Sequence, residues 1–219
     1  MSNDLTQTDR SRLRRFHELG AHDRATIHAI LDAEPNCTVA YVMDGAPYLT
    51  PTLQWRVGER IYWHGSSASR AIKAGKGHRV CLNVTIVDGW VMARSGFNHS
   101  VNARSVTLFG MAEVVPEDQK AAHLTAFIEG MWPGRTSVLR PIQPQELKAT
   151  TLLSMPIAEG SAKVRQGPPQ DEPEDYALPI WAGVIPTARS VETPIPDARN
   201  LGGLEPPEHI TAFCARGRS

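Results

Sequence analysis

Cysteine is scarce in this chain: Cys37, Cys81 and Cys214 are its three, odd in number and far apart. They make neither a disulfide framework nor a metal-ligand spacing, and a reducing, cytoplasmic compartment is the expectation. Cys37 and Cys81 lie in apolar, strand-like runs and read as small buried hydrophobes. An excess of either charge is missing too, since 23 Lys and Arg balance 23 Asp and Glu. That leaves no chain-level electrostatic footprint for nucleic acid. No apolar run, Val39 to Met43 included, approaches the ~20 residues of a membrane span. The polar start, Met1 to Thr8, has no apolar core of a secretion signal. A soluble intracellular protein without membrane or nucleic-acid partners is therefore expected.

Several reaction centres are absent as well. Gly65-Ser66-Ser67-Ala68 lacks the second glycine of a nucleophile elbow, and Gly202-Gly203 lacks the lysine of a nucleoside-triphosphate loop. No Gly-x-Gly-x-x-Gly follows a strand pattern. His17 and His22 are five apart with Gly20 between them, so they do not converge on a metal. No metal site is expected.

What is present is an ordinary globular composition, 41% hydrophobic and 21% charged, at single-domain length. Met1 to Ser11 reads as a loose tail, and Arg12 to Leu19 as a short basic helix. Asp23 is placed to cap a helix running to Ala33, with Ile27, Ile30 and Leu31 on its buried face. Strands follow at hairpin spacing: Cys37 to Met43, a turn at Asp44-Gly45, Tyr48 to Val57, a turn at Gly58-Glu59, then Arg60 to His64. Arg79 to Val87 and Gly89 to Ser95 read as two strands turning at Asp88-Gly89. Arg104 to Val115 is one long strand with Val106, Leu108, Gly110 and Ala112 on one face. Pro116 to Met131 reads as a helix burying Ala122, Phe127 and Met131, and Pro144 to Ala149 as a short one. Thr151 to Ala158 and Ala162 to Val164 are further strands. Trp181 reads as filling the barrel mouth. The prolines after Pro186 mark an irregular end. This order predicts a mainly β, antiparallel, Greek-key type barrel with flanking helices, not a parallel doubly wound sheet. Residues 12–190 form the expected domain and 191–219 a proline-rich extension.

The stretch Arg60 to Gly77 carries the chemistry. Arg60-Ile61-Tyr62-Trp63-His64 is a strand with Ile61 and Trp63 on one face and Tyr62 and His64 on the other. Gly65 breaks it, Ser66 and Ser67 are good N-caps, and Ala68 to Ala74 propagates a helix. Free N–H groups, hydroxyls and the Arg70 guanidinium together suit a phosphate monoester. Ser-Ser before a helix is more often merely a cap.

Ile61 to Arg70, after Pro51-Thr52-Leu53, resembles the phosphate loop of the FMN-binding split-barrel proteins. Within them it resembles the pyridoxamine 5'-phosphate oxidase-like group that includes nitroimidazole-reductase-type flavin proteins. Arg24 to Leu31, Asn102 to Val106 running into Leu108-Phe109-Gly110, Glu146 to Thr150, and Trp181 to Pro186 are similar to that group's other short motifs, in order. The resemblance implies FMN, with Ser66, Ser67, Ser69 and Arg70 on its phosphate and Gly65 allowing close approach. It implies Thr52 and Leu53 beside the ring, and Arg104 and Ser105 helping to enclose it. His64 falls where nitroimidazole-reductase-like members carry a histidine near the flavin, so it is the candidate catalytic residue. A homodimer with FMN at its interface, a small-molecule substrate and NAD(P)H as donor are implied likewise. Ser69-Arg70 replaces the Arg-Lys pair of the true pyridoxamine-phosphate oxidases, and their C-terminal Trp…Arg-Leu signature is absent, which argues against vitamin synthesis. The alternatives are a flavin carrier without catalysis, and the same barrel holding haem or a deazaflavin.

Overall fold

Period-two burial runs through the first half of the chain in the computed structural model, which describes residues 3–216. Val80, Leu82 and Val84 are buried while Arg79 and Thr85 are exposed, the alternation a half-buried pleated strand requires. Ten strands result among the described residues: β1 (Gly20–Ala21), β2 (Asn36–Met43), β3 (Ala46–Val57), β4 (Arg60–Ser66), β5 (Arg79–Met92), β6 (Ser100–Met111), β7 (Glu113–Val114), β8 (Thr150–Pro156), β9 (Glu159–Arg165) and β10 (Gly183–Pro186). The helices are α1 (Arg24–Ala33), α2 (Arg70–Gly75), α3 (Glu117–Met131), α4 (Pro144–Ala149) and α5 (Glu208–Arg216).

All pairings between these strands are antiparallel, in the order β1-β9-β6-β5-β2-β3-β4-β8-β7, with β10 alongside β5. Only Ala112 separates β6 from β7, so one bent strand stands at both ends of the run from β6 to β8 and closes it into a barrel. Val39, Ile61, Trp63, Leu82, Val106, Leu108, Leu153 and Met155 fill the interior. Each fully buried aliphatic side chain there contributes roughly 1.5–3 kcal/mol. Outside the wall, Trp55, Tyr62 and Leu152 pack against Phe127 of α3 and against Val115. α1 joins the main core through Ile27, Ile30 and Leu31. Asp23 caps its start by accepting the Thr26 N–H at 2.8 Å. Gln54 satisfies carbonyls at its other end, donating to Leu31 at 2.6 Å and Glu34 at 2.7 Å.

The first hairpin turns as its residues require, with Asp44 at φ 52° and Gly45 at φ 77°. Elsewhere the structure corrects the sequence reading. Asp88-Gly89 is no turn: β5 runs straight through with a register shift between Val87 and Gly89. A Cβ on Gly89 would lie 2.9 Å from the Ile185 carbonyl oxygen, so that glycine admits β10 rather than reversing the chain. Arg12 to Leu19 holds only a 3-10 turn at His17–Leu19, because Phe16 at φ 55°, ψ 47° breaks a right-handed helix. The tail is not loose: Leu5 is buried, with its N–H bonded to the His22 carbonyl at 2.8 Å. Met1 and Ser2 lie outside the described residues. In α3 Phe127 is buried but Ala122 is exposed. Trp181 is 69% exposed and fills no core. The proline-rich end contains α5. Cys37 is buried and its thiol is pushed up to about 12 by that burial, whereas Cys81 is only half-buried. No helix among the described residues is long and apolar enough to cross a membrane.

Candidate cofactor site

Pairing of Gly65 with Thr151 and Ser66 with Thr150 holds the end of β4 against β8. The loop beyond is pinned by its backbone: Ser67 N–H donates to Ala149 O and Ser69 N–H to Ser66 O, each at 2.9 Å. Ser66 Oγ accepts the Ala68 N–H at 3.3 Å. The helix begins at Arg70, two residues later than its sequence suggests, with Ser69 in the cap position but making no side-chain capping bond. Its six residues make a weak dipole, so charge at this loop comes mainly from Arg70. Among the described residues the Ser67 and Ser69 hydroxyls and the Arg70 guanidinium have no partner, and Ser66, Ser67 and Arg70 are exposed. This is an open cradle of hydroxyls and one cation, fit for a phosphate. Gly65 has a packing role: a Cβ there would come within 2.8 Å of Ile72 Cγ1. Its absence lets α2 pack on β4.

Next to the cradle lies a slot of about 50 Å³, bordered by Tyr41, Thr50, Thr52, His64, Ser69 and Ile72 among others. That is room for a few waters, and not for a tricyclic ring. Tyr41 and Thr50 hydroxyls lie 3.3 Å apart across it. Both were absent from the sequence-based set, although counting by two from Thr52 along β3 places Thr50 on the same face. The same alternation sends Leu53 to the opposite face, under α3 with Trp55. Thr52, His64 and Ser69 are thus brought together, and Leu53 is not.

His64 sits among aromatic rings, 5.9 Å from Trp55 and 5.6 Å from Phe127 between centroids. Its Nδ1 is buried with no hydrogen-bond partner. Burial pushes its pKa below the ordinary histidine value, which favours the neutral imidazole. His123, not foreseen from sequence, stacks on Tyr62 at 4.3 Å on this same outer face.

Arg104 and Ser105 lie on β6, away from the slot, on opposite faces of that strand. Arg104 is committed to Asp88. Ser105 stands in one rank with Thr85 and Lys163. Among the described residues no group of three or more His, Cys, Asp or Glu side chains could hold a metal ion.

The sequence profile of the pyridoxamine 5'-phosphate oxidase family matches residues 23–164, well over half the chain. No curated protein matches the sequence. Among solved structures, the flavocytochrome Anf3 from Azotobacter vinelandii is 48% identical, with TM-score 0.91 over 94% of this chain and 97% of that one. The FAD and heme binding protein from Mycobacterium smegmatis is 36% identical, with TM-score 0.86 over 89% and 97%. A protein named for 5-nitroimidazole antibiotic resistance, from Bacteroides thetaiotaomicron, shares the fold at 17% identity and TM-score 0.55, over 66% of this chain and 86% of that one. With its closed antiparallel barrel and the span of these matches, the chain belongs to the pyridoxamine 5'-phosphate oxidase family, on the split-barrel fold.

Proposed function

We propose that this chain is a flavin-binding oxidoreductase that also carries haem. In this reading it works as a homodimer on a small molecule, with a nicotinamide nucleotide as electron donor. The observation that carries the reading is 48% identity, over nearly the whole of both chains, to a protein named a flavocytochrome. The 36% identical mycobacterial protein, named for FAD and haem, supports the same pair of groups. FMN and FAD share the phosphate that Ser66, Ser67, Ser69 and Arg70 are fit to hold, and Thr52 would meet the polar edge of the ring.

Two features of the single chain support a homodimer. The slot of about 50 Å³ leaves a bound ring without a second wall. The hairpin beside it presents Val42 and Leu49, 63% and 68% exposed, as an apolar face that a second copy would cover. Ser105, remote from the slot in its own chain, would then act at the partner's ring, while Arg104 stays with Asp88.

A bound flavin supplies hydride and one-electron transfer; the residues supply position, polarity and exclusion of water. His64, whose imidazole is favoured as neutral by burial, would be the residue to hold a haem iron. In a chain without haem, the same imidazole would steer a proton. The absorption spectrum of the purified protein, with chromatography of the released flavin, tests the proposal. Flavin and haem bands together support it, and the chromatography assigns FMN or FAD. Absence of both, or a deazaflavin spectrum, overturns it. Bound flavin that NAD(P)H does not reduce would make the chain a carrier instead.

A further inference from the structure

A cleft of about 700 Å³ opens between the N-terminal segment and β1, lined by Gln7, Arg12, Leu13, Arg14, His17 and His22 among others. We infer that this cleft binds the pyrophosphate of a dinucleotide, namely the nicotinamide nucleotide that feeds electrons to the protein. The inference rests on the flavoprotein reading above and adds a place for its donor.

Charge is the first argument. The chain as a whole is balanced, yet between Arg10 and His22 four arginines face one acid, Glu18. Arg10 is committed to Glu159, and the Arg15 guanidinium lies 4.9 Å from the centre of the Phe16 ring. Arg12 and Arg14 are left exposed and without an ion pair among the described residues. Two unpaired guanidinium forks on one cleft match the oxygen-rich, doubly substituted geometry of a pyrophosphate.

The walls are built rather than incidental. His22 Nδ1 lies 3.0 Å from the Gly160 carbonyl oxygen and can only donate to it. Its Nε2 lies 3.0 Å from the Gln7 amide nitrogen, a contact that orients both side chains. Leu13 packs so closely that a Cβ on Gly20 would lie 2.7 Å from Leu13 Cδ1. The segment is tied to the barrel by Thr6 N–H donating to Ala158 O at 2.9 Å. The volume falls within the range of ~300–1,000 Å³ usual for small-molecule sites.

Position is the second argument. Gly20 pairs with Lys163 and Lys163 with Ser105, so the cleft and Ser105 share one rank across three strands. Two strand spacings of ~4.8 Å put them roughly 10 Å apart, within reach of an extended dinucleotide. Phe16, next in the chain to His17 of the cleft wall, is 49% exposed and held at φ 55°. Its ring lies near the Lys163 ammonium, 5.9 Å away, as well as near Arg15. The exposed part of this ring offers apolar surface beside the cleft wall that a base can contact.

Calorimetric titration of the full-length, cofactor-loaded protein with NADP⁺, ADP and inorganic pyrophosphate tests this, comparing the native chain with Arg12→Ala/Arg14→Ala and with Lys148→Ala. The arginine pair is exposed, so the double variant is expected to melt like the native chain. The expected result is at least tenfold weaker binding of NADP⁺ and ADP by that variant alone, with flavin and haem content unchanged. Equal affinities overturn the inference, as does a native chain that binds none of the probes. Binding of pyrophosphate without the nucleotides also overturns it, as does parallel loss of flavin, which would assign the arginines to the flavin site. A protein that lacks flavin but binds NADP⁺ through these arginines would sink the flavoprotein reading and leave the cleft standing.

Discussion

Arg104 and Asp88 grip each other across the β5–β6 ladder through two hydrogen bonds of 2.8 Å, Nε to Oδ2 and Nη2 to Oδ1. The hydrogen bond from Arg104 is the main reason the Asp88 carboxyl is held below its ordinary 3.8. A depressed carboxylate stabilises the fold fully above its unfolded value and loses that contribution as pH falls through its folded value. Asp88→Asn should therefore cost about 0.5–1 kcal/mol at pH 7, the modest figure due to a pair about one-third exposed. The gap to the native chain should begin to narrow as pH drops below about 4, the unfolded value, and close only once the lower folded value is passed. Urea melts at pH 7 and pH 3 measure it, and an unchanged gap at the lower pH would refute the pairing as its source.

Arg70 is the cation of the phosphate cradle, and Lys73 stands one turn further along α2. A lost charge-assisted hydrogen bond costs about 1.5–3 kcal/mol, or roughly ten- to hundred-fold in affinity. Arg70→Ala should weaken flavin binding by that factor and Lys73→Ala by far less. Fluorescence titration of the two apoproteins separates them, and equal dissociation constants would rule the cradle out.

His64 leads to a spectroscopic expectation. His64→Ala should strip the haem band while leaving the flavin bands, and added imidazole should restore haem absorption by supplying the missing nitrogen. Retention of an unchanged haem spectrum in the variant would assign the iron to another side chain.

Gly65 and Ile72 test the packing beneath the cradle. Gly65→Ala should destabilise the protein by about 1–3 kcal/mol through overpacking. The same change in an Ile72→Ala background should cost less, because the colliding Cγ1 is gone. Additive losses in the double-mutant cycle would show that the two residues do not collide.

Much of the barrel was legible in the residues because its strands alternate and its turns carry their own signals, as at Asp44-Gly45. The cap of α1 was legible for the same local reason. Asp88-Gly89 misled because a glycine that admits a neighbouring backbone looks, in sequence, like one that turns the chain. Leu5 and Trp181 misled in opposite directions, since a short polar stretch gave no hint of the carbonyls waiting for its N–H groups, and a tryptophan's size gave no hint of an open surface. The phosphate loop was legible as a motif, yet the start of α2 was not, because Ser66, Ser67 and Ser69 are equally good caps. The fate of Arg104 depended on Asp88, which spacing alone does not join to it.

The closure at Ala112 has a consequence for synthesis of the chain. β4 can find its second neighbour only when β8, which begins at Thr150, has left the ribosome. Until then a nascent chain with β2 to β6 already emerged carries a raw edge, with the β4 backbone unsatisfied and Trp63 and Ile61 without their lid. Such an edge invites pairing with other chains. A stop placed between α3 and β8 should thus yield aggregated rather than merely inactive protein.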